Sequence, residues 1–263
     1  MYSRSAHLYD MIYRAAGKDY AAEAASIDAL VRAHNPSART LLDLACGTGR
    51  HLSYLQHHYE VEGVDVDAAM VKQARRTLPH ITFRVADMRT LALGRRFDVV
   101  VCLFSAIGHI LDETEFRETI TRMARHLGPG GVLIINGWVS PQGWTSVPAP
   151  GVISAEEGDL RVVRMGWTRR EGDLTFLEMH HLVGTSNGVE YFREDHVLRL
   201  RPDALTVAEM EAAGLRTEIV PGPLRGRSRF VGVARQSEAV HRGQGRRERD
   251  VTLLDTGSGG PDL

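Results

Sequence analysis

Short apolar runs alternate with longer polar segments along the first half of the chain. The apolar runs predict strands at residues 40–44, 61–67, 81–85, 97–103 and 132–136. The other segments carry apolar residues at helical spacing and predict helices at residues 18–34, 50–57, 68–77 and 113–127. Because strands separated by helices pair in parallel, this order predicts an α/β fold with a doubly wound sheet.

The period of the pattern changes after residue 150. Apolar and polar residues then alternate singly, with hairpin-turn sequences between them, at residues 161–165, 174–182 and 189–192. We therefore expect a small antiparallel sheet inserted at residues 150–201. One apolar face of such a sheet would be exposed, so the sheet must cover the active site, contact another subunit, or do both.

The rest of the chain divides around this insertion. A helix at residues 204–213 and two strands at 215–220 and 229–234 are expected to add an antiparallel pair to the main sheet. The core domain is then residues 1–149 and 202–235. Residues 236–263 are polar and glycine-rich, and we expect a disordered tail there.

Composition and charge narrow the possible partners and location. The chain has 263 residues, a formal net charge of −1 and dispersed basic residues, which disfavours nucleic acid as a partner. No apolar run reaches the roughly 18 residues of a membrane span. The two cysteines, Cys46 and Cys102, have no metal-ligand spacing, so we expect free thiols, no metal site and a cytoplasmic protein.

The segment from Leu41 to His51 leads from an apolar strand through a glycine turn into a helix. Gly47 and Gly49 let the backbone pass close to a ligand, and side chains at those positions would collide with it. An empty turn and a dinucleotide site are the alternatives. A dinucleotide site needs a third glycine near residue 51, and Asp43 would repel a pyrophosphate, so the turn favours a cationic nucleotide-like ligand.

Acidic residues also follow the next two predicted strands. Asp65 ends the second strand and is placed to accept hydrogen bonds from both hydroxyls of a ribose. Asp87 follows the third strand and can accept from an adenine amino group, while the Met88 sulfur packs on the ring. The strand ends therefore predict an adenosine-binding cleft.

These residues resemble the class I S-adenosylmethionine-dependent methyltransferases, over roughly residues 1–235. The segments Tyr9–Tyr13, Gly17–Ala24 and Arg225–Val233 further resemble bacterial N,N-dimethyltransferases of nucleotide-linked amino sugars. The resemblance implies a Rossmann-like, seven-stranded methyltransferase sheet and S-adenosylmethionine as cofactor. It implies donor contacts from Tyr13, Tyr20, Asp43, Ala45, Gly47, Gly49, Asp65, Val66, Met70, Asp87, Met88 and Leu103.

The resemblance also suggests catalytic residues on the acceptor side. Tyr13 matches the opening tyrosine of the family, and His109 stands where members of the family usually carry tyrosine. A histidine titrating near neutrality can take the proton of an amine, which must leave before the nitrogen attacks. Alternatively, His109 only caps the strand end or the following helix.

Substrate contacts are expected from Trp138, Glu178, His180 and Arg227. An arginine fork suits the oxygens of a diphosphate, so Arg227 is the candidate for the nucleotide end. Each of these residues also has a structural alternative: Trp138 as an anchor of the inserted sheet, Glu178 and His180 as hydrogen-bonded strand residues, and Arg227 as a solvated loop residue.

The sequence therefore predicts an S-adenosylmethionine-dependent N-methyltransferase. The resemblance implies dimethylation of the amino group of a dTDP-linked deoxyamino sugar in antibiotic biosynthesis. The exposed apolar face of the inserted sheet leads us to expect a homodimer. A methyltransferase acting on an oxygen or another amine, and a non-catalytic donor-binding partner protein, stay open as alternatives. A nicotinamide dehydrogenase stays possible on fold alone.

Overall fold

The computed structural model of the protein describes residues 2–145, 149–222 and 226–236. The helices are α1 (Tyr9–Ala15), α2 (Tyr20–His34), α3 (Leu52–Leu55), α4 (Ala68–Thr77), α5 (Glu113–Arg125) and α6 (Asp203–Ala212). The strands of the main sheet are β1 (Thr40–Leu44), β2 (Glu60–Asp65), β3 (Thr82–Val85), β4 (Phe97–Cys102), β5 (Leu127–Val139), β10 (Leu215–Pro221) and β11 (Arg227–Ala234). Those of a second sheet are β6 (Gly151–Glu157), β7 (Leu160–Glu171), β8 (Leu174–Thr185) and β9 (Gly188–Arg199).

The main sheet has seven strands in the order β10-β11-β5-β4-β1-β2-β3. The strands β1 to β5 pair in parallel, and β11 runs antiparallel to both of its neighbours. Apolar side chains fill both faces of the sheet and form two separate clusters against the flanking helices. The predicted doubly wound, seven-stranded sheet is confirmed, including its antiparallel C-terminal end.

Aspartates begin three of the helices. Asp67 accepts a hydrogen bond from the backbone N–H of Ala69, and Asp19 and Asp112 cap α2 and α5 in the same way. The predicted bounds of α2, α4 and α5 agree with the structure to within two residues at each end. The helix predicted at 50–57 is shorter, because only Leu52–Leu55 is α-helical.

The second sheet contains four antiparallel strands in the order β6-β7-β8-β9. Strand β6 was not predicted, and a single residue in it, Ala155, is buried, so it carries no alternating pattern. The chain before α1 and α1 itself pack on one face of this sheet, where Leu8, Met11 and Ile12 contact Val162 and Phe192. We call this the inner face, and the opposite one the outer face.

Two further expectations concern residues outside the main sheet. The disordered tail predicted for 236–263 lies, apart from Gln236, outside the described residues. A search of the described helices finds none that is both long and apolar enough to span a membrane.

Candidate functional site

A cleft of about 820 Å³ lies at the carboxyl ends of β1 to β4. This is the crevice in which open α/β sheets bind ligands. The segment around α1, the first turns of α2 and the inner face of the second sheet form its other walls. Predicted donor residues that line the cleft are Tyr13, Ala45, Gly47, Asp65, Val66, Met70, Asp87, Met88 and Leu103.

The turn after β1 fixes the carboxylate of Asp65. Its Oδ2 accepts a hydrogen bond from the backbone N–H of Gly47 at 2.8 Å, and its Oδ1 accepts one from Asp67 at 2.8 Å. Ala45 and Gly47 both have positive φ, of 62° and 56°. An alanine held in this region indicates backbone strain, which is concentrated at functional sites.

Gly49 does not line the cleft. Its φ is 77°, and a Cβ at this position would lie 2.9 Å from the ring of Phe83 on β3. The expectation that a side chain here would collide with the ligand was therefore wrong. This glycine is required by the turn and by packing against β3, whereas Gly47 faces open space on the cleft.

Asp43 also lies outside the cleft. It is an internal residue of β1, paired with Gly63 and Val101, and is only 1% exposed, whereas the cleft opens beyond the end of the strand at Ala45. Neither carboxylate oxygen has a hydrogen-bond partner within the described part of the chain. Burial, followed by the nearby charge of Asp65, raises the pKa of this carboxyl well above its usual value.

Tyr20 is a third predicted donor residue outside the cleft. Its ring is buried and packs edge-on against His51, with 5.0 Å between ring centroids. Its neighbour Lys18 does line the cleft and donates to both oxygens of Glu23, at 2.6 and 2.7 Å. The Glu23 carboxylate also contacts His51, with 2.8 Å between its Oε2 and the Nε2 of the ring.

The end of the cleft opposite Lys18 and Glu23 is lined by Val66, Met70, Asp87 and Met88. Asp87 accepts hydrogen bonds from the backbone and the guanidinium of Arg89, and these bonds lower the pKa of its carboxyl. An exposed valine and two methionines beside a fixed carboxylate can hold an adenine ring and its amino group.

The part of the cleft around Tyr13 and Phe104 is closed by the inner face of the second sheet. We call this part of the cleft the chamber. The rings of Tyr13 and Phe104 meet edge-on with centroids 4.9 Å apart. Phe104 and Ser105 have positive φ, of 52° and 65°, a rare conformation for residues other than glycine. Arg227 lies over the Trp138 ring at 4.1 Å and donates to the Ser105 hydroxyl at 3.1 Å.

His109 lines this chamber and is largely buried. Burial lowers its pKa to about 4. The histidine is therefore neutral at physiological pH. The sequence-based expectation was a histidine that titrates near neutrality, and the lowered pKa does not agree with it. A second buried histidine, His196, lies 5.8 Å away between ring centroids and has a pKa of about 4, again because of burial.

Glu178 and His180 are not brought to the cleft. Strand alternation turns Leu177 and Met179 of β8 toward the chamber, so the two polar residues lie on the outer face. There Glu178 lies 3.4 Å from the guanidinium of Arg193, and His180 is hydrogen-bonded to the Tyr191 hydroxyl at 2.8 Å. The expectation that these two residues contact the substrate is therefore corrected.

The sequence analysis missed several residues that line the chamber: Arg164, Thr168, Leu177, Met179 and Leu198. All five lie on the inner face of the second sheet. Alternation within the predicted strands covers Arg164, Leu177 and Met179, whereas Thr168 and Leu198 lie beyond the predicted strand ends. Deciding which face of the sheet lines the cleft requires the packing of α1, which was not predicted.

The residues present fit S-adenosylmethionine. A fixed carboxylate, Asp65, lies between an apolar end that accepts an adenine ring and a charged end with Lys18, Glu23 and Arg229. Within the described residues no group of three potential metal ligands lies together.

Comparison with known proteins agrees with this geometry. A methyltransferase-domain model matches residues 41–131. The dTDP-3-amino-3,6-dideoxy-alpha-D-glucopyranose N,N-dimethyltransferase of Streptomyces fradiae is 40% identical over 233 residues, covering 87% of this chain and 90% of that protein.

Two solved structures are similar over nearly their whole length. DesVI of Streptomyces venezuelae is 37% identical, with a TM-score of 0.83 over 87% of this chain and 98% of that one. CalS10 of Micromonospora echinaspora, an amino pentose methyltransferase with bound S-adenosylmethionine, is 35% identical, with a TM-score of 0.78 over 86% and 96%. The chain therefore belongs to the S-adenosylmethionine-dependent N-methyltransferases, in the family that includes these sugar methyltransferases.

Proposed function

We propose that this enzyme transfers two methyl groups from S-adenosylmethionine to the amino nitrogen of a dTDP-linked deoxyamino sugar in antibiotic biosynthesis. The observation that carries the proposal is the composition of the chamber. Arg227 and Arg164 line it, and neither forms an ion pair within the described residues, so it offers positive charge to an anion. A nucleotide-linked sugar brings a diphosphate, whereas a free amine brings none.

On the donor side, Asp65 would accept hydrogen bonds from the two ribose hydroxyls. Asp87 would accept from the adenine amino group, while Val66, Met70 and Met88 contact the ring. Ala45, Gly47 and Leu103 would line the path to the reacting methyl group. These roles are supported by the positions of all these residues along the cleft.

On the acceptor side, Arg227 would hold the diphosphate. Its guanidinium is fixed from two directions, by the Trp138 ring and the Ser105 hydroxyl, so its fork is preorganised. Burial lowers its pKa to about 10, which leaves it charged at neutral pH. Trp138 would also form a wall of the sugar site, because its indole N–H is anchored by Thr175 at 3.0 Å.

When bound, S-adenosylmethionine supplies an electrophilic methyl group on a positively charged sulfur. The enzyme must then hold the acceptor nitrogen in line with the bond that breaks, in a pocket without bulk water. Tyr13 and His109 would orient the amine by accepting hydrogen bonds from its N–H groups, which leaves the lone pair directed at the methyl group. Apolar residues of the inner face, Leu177, Met179 and Leu198, would exclude water.

The proton of the ammonium form must leave before attack. A histidine with a pKa of about 4 cannot hold a proton taken from an alkylamine, whose pKa is about 10. Burial and the positive charge of Arg227 both disfavour the charged form of the acceptor, so its pKa falls on binding. We therefore assign the proton to solvent, and a hydrogen-bonding role to His109.

We further propose that the enzyme is cytoplasmic, where its two free cysteines stay reduced, and that it is a homodimer. Residues 150–201 would form an inserted unit between the two parts, 1–149 and 202–235, of the core domain. The homodimer is supported by a row of exposed apolar residues on the outer face: Val163, Met165, Trp167, Leu182 and Tyr191.

A panel of acceptors tests the proposed reaction. We expect methyl transfer from labelled donor to a dTDP-3-amino-dideoxyglucose, and none to dTDP-glucose, the free amino sugar or glycine. Transfer to a sugar hydroxyl would support the alternative of an O-methyltransferase. Donor binding without product from any acceptor would support a non-catalytic donor-binding protein, and either result would overturn the proposal.

A further inference from the structure

Arg229 is a buried cation at the charged end of the cleft. It lies two residues after Arg227 on β11, lines the cleft and is 3% exposed. Its Nε donates to the Asn136 side chain at 3.0 Å, and one Nη donates to the Ser26 hydroxyl at 2.8 Å. A guanidinium has five N–H groups. Three of them therefore have no acceptor within the described residues.

No carboxylate among the described residues forms an ion pair with Arg229. Burial lowers the pKa of its guanidinium, and the nearby charge of Glu23 raises it by a smaller amount. A buried unpaired charge is unfavourable, whereas a buried pair with good hydrogen bonds is tolerated. The site is therefore complete only when an anion lies beside the guanidinium.

The neighbouring charges cancel one another. Lys18 is paired with Glu23 at 2.6 Å, and Glu23 also contacts His51 at 2.8 Å. Burial lowers the pKa of His51, so this ring stays neutral. The pair Lys18 and Glu23 has no net charge, and the positive charge of Arg229 is left over.

The surroundings of Arg229 associate it with the donor rather than the acceptor. Its hydroxyl partner, Ser26, is on α2, the helix that also carries Glu23. Glu23 in turn contacts His51, which directly follows the turn after β1. Arg227 has different partners, Trp138 and Ser105, in the acceptor chamber. The donor carries one anionic group, the carboxylate of its methionyl part.

We propose that Arg229 binds the methionyl carboxylate of S-adenosylmethionine and is the residue that distinguishes the intact donor from analogues without this carboxylate. This inference rests on the proposed function for the presence of the donor. The fork of a guanidinium matches a carboxylate with two parallel hydrogen bonds.

Calorimetry with two donors tests the inference on the wild-type protein. We expect decarboxylated S-adenosylmethionine, which keeps the sulfonium and the amino group, to bind about 10- to 100-fold more weakly than the intact donor. Equal affinity for the two compounds would overturn the inference. Failure of both to bind would instead overturn the proposed function itself.

Variants of Arg229 test whether this residue causes the preference for the intact donor. Arg229→Gln should lower the affinity for the intact donor to that of the decarboxylated compound and leave the latter unchanged. Arg229→Lys, which keeps the charge, should retain part of the preference. Arg227→Gln is the matched control on the same strand and should keep the full preference for the intact donor.

Two outcomes would contradict the assignment. One is an Arg229→Gln protein, folded by its melting curve, that still prefers the intact donor as the wild type does. The other is a variant with normal donor affinity and weakened binding of dTDP, which would place Arg229 in the diphosphate site beside Arg227.

Discussion

At the scale of single residues, Asp65 is held at the cleft by backbone N–H groups of Gly47 and Asp67, so its remaining lone pairs are directed without loss of side-chain freedom on binding. Hydrogen bonds to a charged group contribute about 1.5–3 kcal/mol each. Asp65→Ala should therefore weaken donor affinity by a factor of about 100 or more, measured by calorimetry. Glu178→Ala on the outer face is the control. Unchanged affinity in Asp65→Ala would contradict the ribose role.

His109 leads to a prediction about pH. Its pKa of about 4 means that its charge does not change between pH 6 and 9. We expect the turnover of the wild type to rise with pH as the acceptor amine loses its proton, and His109→Gln to show the same midpoint with a turnover about 10- to 100-fold lower. Donor affinity should not change. A midpoint that disappears in the variant would instead make this histidine the proton acceptor.

Residues that stand next to a recognisable strand end were placed correctly from the sequence. Asp87 and Met88 follow β3 after a single residue, Ala86, and both reach the cleft. Asp43 was placed in the cleft wrongly, because the apolar pattern did not show that β1 continues to Leu44 and that the cleft begins only at Ala45. The pKa of His109 was also out of reach, because it depends on burial by the second sheet.

At the scale of elements, the two glycines of the turn after β1 have different roles. Gly49→Ala places a Cβ 2.9 Å from Phe83 and strains the backbone, so it should lower the free energy of unfolding by about 2–4 kcal/mol. Gly47→Ala meets no atom within 4 Å and should lose only about 1–2 kcal/mol.

Donor binding separates the two variants further. Because the Cβ of Gly47→Ala would occupy the cleft, this variant should lose more donor affinity than stability. Urea unfolding and calorimetry measure the two effects. The assignment of Gly47 to the cleft would be contradicted by a Gly47→Ala protein that binds the donor normally.

In the second sheet, the alternation of apolar and polar residues predicted the strands but not which face is covered. Alternation located β7, β8 and β9 correctly, although each is longer than predicted. It did not decide which face is covered, because both faces carry apolar residues: Leu177 and Met179 inside, Met165 and Leu182 outside. Only the packing of α1 on one face resolves this.

At the scale of the whole molecule, the outer face of the second sheet predicts self-association. Val163, Leu182 and Tyr191 form one row across β7, β8 and β9, and they are 39%, 49% and 56% exposed. Exposed apolar sheet faces of this kind mark interaction surfaces. We expect a dimer in sedimentation velocity, and a monomer for Leu182→Glu.

The control for this prediction is Ile219→Glu, a substitution of an equally exposed residue on β10. It should leave the dimer intact. A wild-type protein that sediments as a monomer at assay concentrations would exclude the interface.

The doubly wound, seven-stranded main sheet was predicted from the alternation of strands and helices, together with the family resemblance. The path of α1 was not, because a short apolar pattern at Leu8, Met11 and Ile12 does not tell which sheet it packs on. The turn Ala106–His109 was not either, because four residues are too few to show a period. Both elements form walls of the cleft. The fold was therefore predicted more completely than the acceptor end of the site.

The most direct test of the whole account is to follow the methyl carbon. The enzyme is incubated with S-adenosylmethionine carrying a ¹³C-labelled methyl group and a dTDP-linked 3-amino-deoxyglucose, and the product is examined by NMR. We predict two labelled methyl groups on the amino nitrogen, with a monomethyl intermediate at early times. Label on a sugar oxygen, or unchanged acceptor despite bound donor, would contradict it.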